Sequence, residues 1–201
     1  MKTQYLLIIA LCSCFISQAQ DKGEFEYGFF AGLNVSNVST IDNEDSASSK
    51  IGFNVGAYGE YYFSERWSLR ANLNYDQKGW SDGFFTDDTQ SITTDYALNY
   101  LTVPVLANWH FAKKRNWYLN GGLYAGFLLN AKITETDFDV SDAISSTDFG
   151  VALGIGVKIP VGDHKIFIEY GAQSGFTDIF EQNSGEAIRN GRSSLNVGFT
   201  F

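Results

Sequence analysis

The chain closes on Ser193–Phe201, SSLNVGFTF, in which Leu195, Val197, Phe199 and Phe201 recur at every second position. The residues between them are Ser194, Asn196, Gly198 and Thr200. Side chains alternate across a strand, so the spacing predicts a β-strand with one wholly apolar face. Chain ends are ordinarily polar and frayed. An apolar face this far along the chain needs something apolar to lie against.

The same two-residue period extends back through the chain. It predicts strands over 25–35, 51–63, 67–79, 97–111, 117–129 and 149–159, each with its apolar set on odd positions. A seventh strand carries Ile166, Ile168, Tyr170 and Ala172 on even positions, against Phe167, Glu169 and Gln173. No stretch has helical periodicity. Ser64–Arg66, 113–116 and 161–164 are short turns. The links near 40–50, 81–94, 131–147 and 174–192 are long and polar. Eight strands with alternating short turns and long loops predict an all-β fold, an eight-stranded antiparallel up-and-down transmembrane β-barrel.

Which face points outward decides between a membrane barrel and a soluble lipocalin-like carrier. Gly28, Gly32, Gly52, Gly56, Gly122, Gly126, Gly150, Gly154, Gly156 and Gly198 all fall on the polar face. Glycine weakens a solvated strand, whereas a crowded barrel interior needs small residues. The apolar face gathers Phe63, Trp67, Trp109, Phe111 and Trp117 beside the short turns, as an interfacial aromatic girdle would. Each strand also supplies the roughly nine to eleven residues that cross the hydrocarbon layer. The apolar face is therefore expected to meet lipid, and pairing of the last strand with the first would close the barrel.

The N-terminus supports export. Lys2 precedes the apolar run Leu6–Ile16, and Ser17-Gln18-Ala19 fits a cleavage site, so residues 1–19 read as a secretory signal peptide and 20–201 as the barrel domain. Cys12 and Cys14 both lie in that signal, which leaves the mature chain without disulfides or thiolate metal sites. A net charge of −9 argues against nucleic acid as a partner.

The stretches GFFAGLN in the first strand, NYLTVPVLANWHF in the fourth, STDFGVALGIGVKI in the sixth and the terminal NVGFTF resemble the outer-membrane β-barrel family that includes PorT-like proteins. The likeness runs over the whole mature chain and implies eight strands in the outer membrane. It brings no catalytic residues. A terminal aromatic also resembles the signal by which the barrel assembly machinery recognises its clients.

Signals for chemistry are few. His110 faces inward near the short-turn end and His164 lies in a turn, without the ligand spacing a metal site needs. No nucleophile elbow or phosphate-cradling loop is present. Catalytic, cofactor-binding and metal-binding residues are therefore not expected. The leading expectation is a non-enzymatic, monomeric outer-membrane protein that is structural or binds a partner through its loops. A small pore is the alternative; a lipid-modifying enzyme or a soluble carrier ranks lower. In an eight-stranded barrel side chains fill the interior, and Tyr58, Tyr62, Tyr100, Tyr118, Tyr124, Arg70 and Glu169 are the inward candidates. Counting back from the turn at Ser64–Arg66 sets Glu60 opposite Arg70, which predicts an interior ion pair. The long loops carry thirteen acids against Lys50, Lys132 and Arg189. That balance suits weak contact with divalent cations or lipopolysaccharide.

Overall fold

The computed structural model describes residues 22–39, 47–87, 90–183 and 185–201, with backbone alone for 84–87 and 90–92. The proposed signal at 1–19 and the acids Asp42, Glu44, Asp45 and Asp88 lie outside the described residues. Eight long strands follow one another: β1 (Phe25–Val38), β2 (Ser48–Tyr62), β3 (Trp67–Asp87), β4 (Gln90–Phe111), β5 (Trp117–Ile133), β6 (Thr147–Val161), β7 (His164–Gly175) and β8 (Asn190–Thr200). Each pairs antiparallel with the next, and β1 pairs with β8. The result is a closed antiparallel eight-stranded barrel. Its only described helix is one 3₁₀ turn at Ser141–Ala143.

Closure is made by the segment Ser193–Phe201. Leu33 pairs with Leu195, Ala31 with Val197 and Phe29 with Phe199. Past the last pair, the Phe201 amide donates to the Tyr27 carbonyl at 2.9 Å, and the Phe201 ring stacks on Tyr27 with centroids 5.4 Å apart. Leu195, Val197 and Phe201 are exposed, and Phe199 is half-buried. Outward residues are apolar on every strand, while the buried inward set is polar: Asn34, Asn54, Arg70, Asp76, Lys158 and Asn196 are examples. This inverts a soluble barrel and removes the lipocalin-like reading.

The short-turn end carries the five aromatics. Trp67 opposes Trp109 across β3 and β4. Trp109 stacks on Phe111 at 5.4 Å, and Phe111 lies 6.4 Å from Trp117. Phe63, Trp67, Trp109 and Trp117 are exposed and Phe111 is half-buried. The tightest turn, between Val161 and His164, uses Gly162 at φ +63°, a left-handed conformation glycine adopts without penalty.

The opposite end differs from expectation. Residues 81–94, read as a long polar loop, are mostly strand: β3 and β4 stay paired out to Asp87 and Gln90. The register slips between Trp80 and Gly83, where Asp82 takes φ +57°. Such a bulge shifts the alternation by one residue, and the parity reading stops there. The other long links are not simply solvated either. Ile144, Ile179 and Ile188 fold down onto Val38, Trp80, Tyr96, Leu98, Tyr100 and Ile133, forming an apolar core over the barrel mouth. A bridge between Ile144 and Phe180 joins the third and fourth links.

Candidate functional site

The lumen concentrates charged and hydrogen-bonding groups, arranged in layers along the barrel axis. Nearest the short turns, β6 delivers Lys158 between two carboxylates. Its Nζ donates to Glu60 Oε2 and to the Tyr62 hydroxyl, each at 2.7 Å, and also to Glu26. Tyr62 in turn donates to Glu26 at 3.0 Å. Lys165 closes on the other oxygen of Glu26. Glu60 Oε1 accepts from Asn108 at 2.7 Å and from Ser68, with His110 Nε2 at 3.1 Å.

One level up, Arg70 Nη1 donates to Glu169 Oε2 at 2.9 Å. Tyr118 and Asn120 donate to the same oxygen, each at 2.9 Å. The guanidinium lies 4.1 Å from the Tyr58 ring centroid and 5.1 Å from that of Phe167, a cation–π seat that covers its apolar faces. Higher still, Asp76 pairs with Arg192, and Arg192 Nη2 donates to Ser194 at 3.1 Å. Towards the mouth, Lys78 binds Asp148 Oδ2 at 3.0 Å, with Tyr124 and Asn190 donating to the same carboxylate.

The expected Glu60–Arg70 ion pair is corrected by this geometry. The register does set the two residues opposite each other. Their charges nevertheless go elsewhere, Glu60 to Lys158 and Arg70 to Glu169. In a barrel this narrow a long side chain reaches across the axis as readily as along the wall, so adjacent strands hold no privilege. The anticipated filling is present: Tyr58, Tyr62, Tyr100, Tyr118, Tyr124, Arg70 and Glu169 are all buried. Sequence reasoning missed Lys158. Its signal was there, since it is a lone cation on an otherwise glycine-rich inward face.

Ser68, His110 and Glu60 form an unanticipated hydroxyl, imidazole and carboxylate cluster. Ser68 Oγ is 3.0 Å from His110 Nε2, and Glu60 approaches the same nitrogen. A nucleophilic relay needs the acid on one ring nitrogen and the hydroxyl on the other. Here Nδ1 has no hydrogen-bond partner, and all three side chains are fully buried. As arranged, the cluster locks strands together. His164 packs on Phe199 and Phe201 at 5.1 and 5.4 Å, away from any such group. Among the described residues no three His, Cys, Asp or Glu side chains converge as a metal site.

An apolar outer surface, a polar interior filled by side chains and closure by the β1–β8 pairing together define a transmembrane barrel of the outer-membrane type. The chain belongs to the outer membrane protein beta-barrel domain family, whose model matches residues 17–181. No curated protein matches it. Among solved structures, OprG from Pseudomonas aeruginosa is similar at 12% identity, over 92% of this chain and 99% of that one, with a TM-score of 0.54. Neisserial surface protein A is similar at 17% identity, over 87% and 97% of the two chains, with a TM-score of 0.53. At these identities the likeness is one of fold. Family and fold together place the protein in the outer membrane of the cell envelope.

Proposed function

We propose that the protein is a non-enzymatic outer-membrane barrel, PorT-like in kind, whose filled body carries an acidic loop platform to the cell exterior for partner binding or envelope reinforcement. The observation that supports this most is the blocked mouth. The third and fourth long links pack their isoleucines over the lumen, and their acids stay on the outer side, with Asp139, Asp142, Glu181 and Glu186 all exposed. The aromatics at the short-turn end anchor the periplasmic interface. The barrel works as a monomer.

Cysteines introduced in place of Glu181 and Asn116 test this reading. An impermeant maleimide on whole cells is expected to label the first and spare the second; the reverse pattern sinks it. Contact with divalent cations or lipopolysaccharide at the loops is weak and distributed, because Asp137 already binds Lys132 at 2.7 Å and Asp139 accepts the Ser141 amide at 2.8 Å. Calcium heats that are unchanged when Asp137, Asp139 and Asp142 become Asn would remove that contact from the proposal. The second reading, a small pore, is favoured by the polar lumen wall.

A further inference from the structure

Midway along the lumen lies a cavity of ≈ 30 Å³, bordered by residues of seven of the eight strands. Asn74, Gln173 and Arg192 are among them, and only 2, 8 and 7% of their surfaces are exposed. Three of their polar atoms, Asn74 Oδ1, Gln173 Oε1 and Arg192 Nε, have no protein hydrogen-bond partner. The same belt of the wall holds Asn54 Oδ1, Asp76 Oδ2 and Thr102 Oγ1, which are also unpartnered. Asn54 pairs in register with Asp76, and Asn74 with Thr102. Buried polar groups are costly when unmade, and three of them border this one cavity.

The chemistry of that belt selects its occupant. Of the three atoms on residues that border the cavity, Asn74 Oδ1 and Gln173 Oε1 are carbonyl acceptors and Arg192 Nε is an N–H donor. Asp76 with Arg192, and Arg70 with Glu169, leave no net charge for an ion to balance. Two acceptors and one N–H in neutral surroundings call for a molecule with two donors and a lone pair. The volume admits about two molecules of water and nothing larger. Pro104 borders the same space. The β3–β4 ladder skips from Ala71↔Val105 to Asn74↔Thr102 at this point, and proline has no N–H to offer it.

We propose that this cavity is a hydration site, holding structural water between two charged layers of the lumen. Below it lie the Arg70–Glu169 and Lys158–Glu60 layers. Above it lie Lys78, Asp148 and the apolar core over the mouth. The water supplies the hydrogen bonds that Asn74 Oδ1, Gln173 Oε1 and Arg192 Nε do not receive from the protein. This holds whatever the loops bind.

Water cross-peaks to Arg192 Nε–H and to the Asn74 and Gln173 side-chain amides, recorded on the folded barrel in lipid nanodiscs, test the proposal. Long-lived water gives nuclear and rotating-frame Overhauser peaks of opposite sign, which is the expected result. Gly171→Ala supplies the displacement control. A Cβ there points into the cavity and meets only Ser194 Oγ at 3.3 Å and the Leu153 carbonyl at 3.8 Å. That variant should keep its heat-modifiable gel migration and lose the Arg192 cross-peak. Ser194→Ala should retain the peak, because the signal comes from water and not from an exchanging hydroxyl. The proposal is overturned by absent peaks in the parent barrel or by same-sign peaks from freely exchanging water. It is equally overturned if the peak survives Gly171→Ala or disappears in Ser194→Ala.

Discussion

At the scale of single residues, the lumen is governed by how far a side chain reaches. Register counting set Glu60 against Arg70 correctly on the wall, yet the partners that matter come from β6 and β7 across the axis. Lys158 is the critical member, since it bridges Glu26 and Glu60 and is the lysine that Glu60 pairs with. Removing one partner of a buried pair costs about 3–5 kcal/mol, because the remaining charge is left without compensation. Lys158→Met is therefore expected to destabilise the barrel by about that range, because Glu60 loses its cation while Glu26 keeps Lys165. Double-mutant cycles read by urea unfolding in micelles should give strong coupling for Glu60 with Lys158 and for Arg70 with Glu169. Coupling for Glu60 with Arg70 should be much weaker. Equal coupling in all three cycles would mean that the layers act as one diffuse charge cloud.

At the scale of elements, the outer links are more ordered than their composition suggests. The segment 81–94 is rich in Ser, Thr, Asp and Gly, residues that favour turns, and the bulge at Trp80–Gly83 inverts its alternation. Both signals mask a hairpin. In the last long link, Asp178 organises the chain. Its Oδ1 accepts the Phe180 and Ile188 amides at 3.1 and 3.4 Å, and its Oδ2 accepts Asn183 Nδ2 at 2.7 Å. Partial burial opposes ionisation, but these donors and the charge of Arg189 outweigh it and hold the carboxyl below its ordinary value. A depressed folded pKa stabilises the loop fully above the unfolded value, about 3.9. That contribution is lost as pH falls through the folded value. The Phe180 and Ile188 amide resonances should titrate together with a midpoint below about 3.9, and Asp178→Asn should abolish the titration. A midpoint at or above the ordinary value would show that the donors do not hold the carboxylate.

At the scale of the whole molecule, the question is whether an eight-stranded barrel with a polar lining conducts. Its described inward charges are matched layer by layer, its tyrosines and Phe167 fill the axis, and the mouth is covered by the apolar core. An ion would have to part several buried pairs in succession. Single-channel recording in planar bilayers is expected to show no steady open level. Well-resolved, lasting openings would favour the pore and require the loop core to move aside.

The amino-acid sequence by itself determined the strand count, the direction in which each strand faces and the closing role of Leu195–Phe201. These follow from local alternation, which a two-residue period writes directly into the chain. Inward filling by tyrosines was legible for the same reason, because parity names every residue that enters a narrow lumen. Which inward charges meet was decided only by the tertiary structure. That depends on the barrel's width and on side chains that cross it, and neither has a sequence period. The apolar core over the mouth was likewise invisible: Ile144, Ile179 and Ile188 are isolated in polar segments and become a cluster only when two separate links converge over one opening.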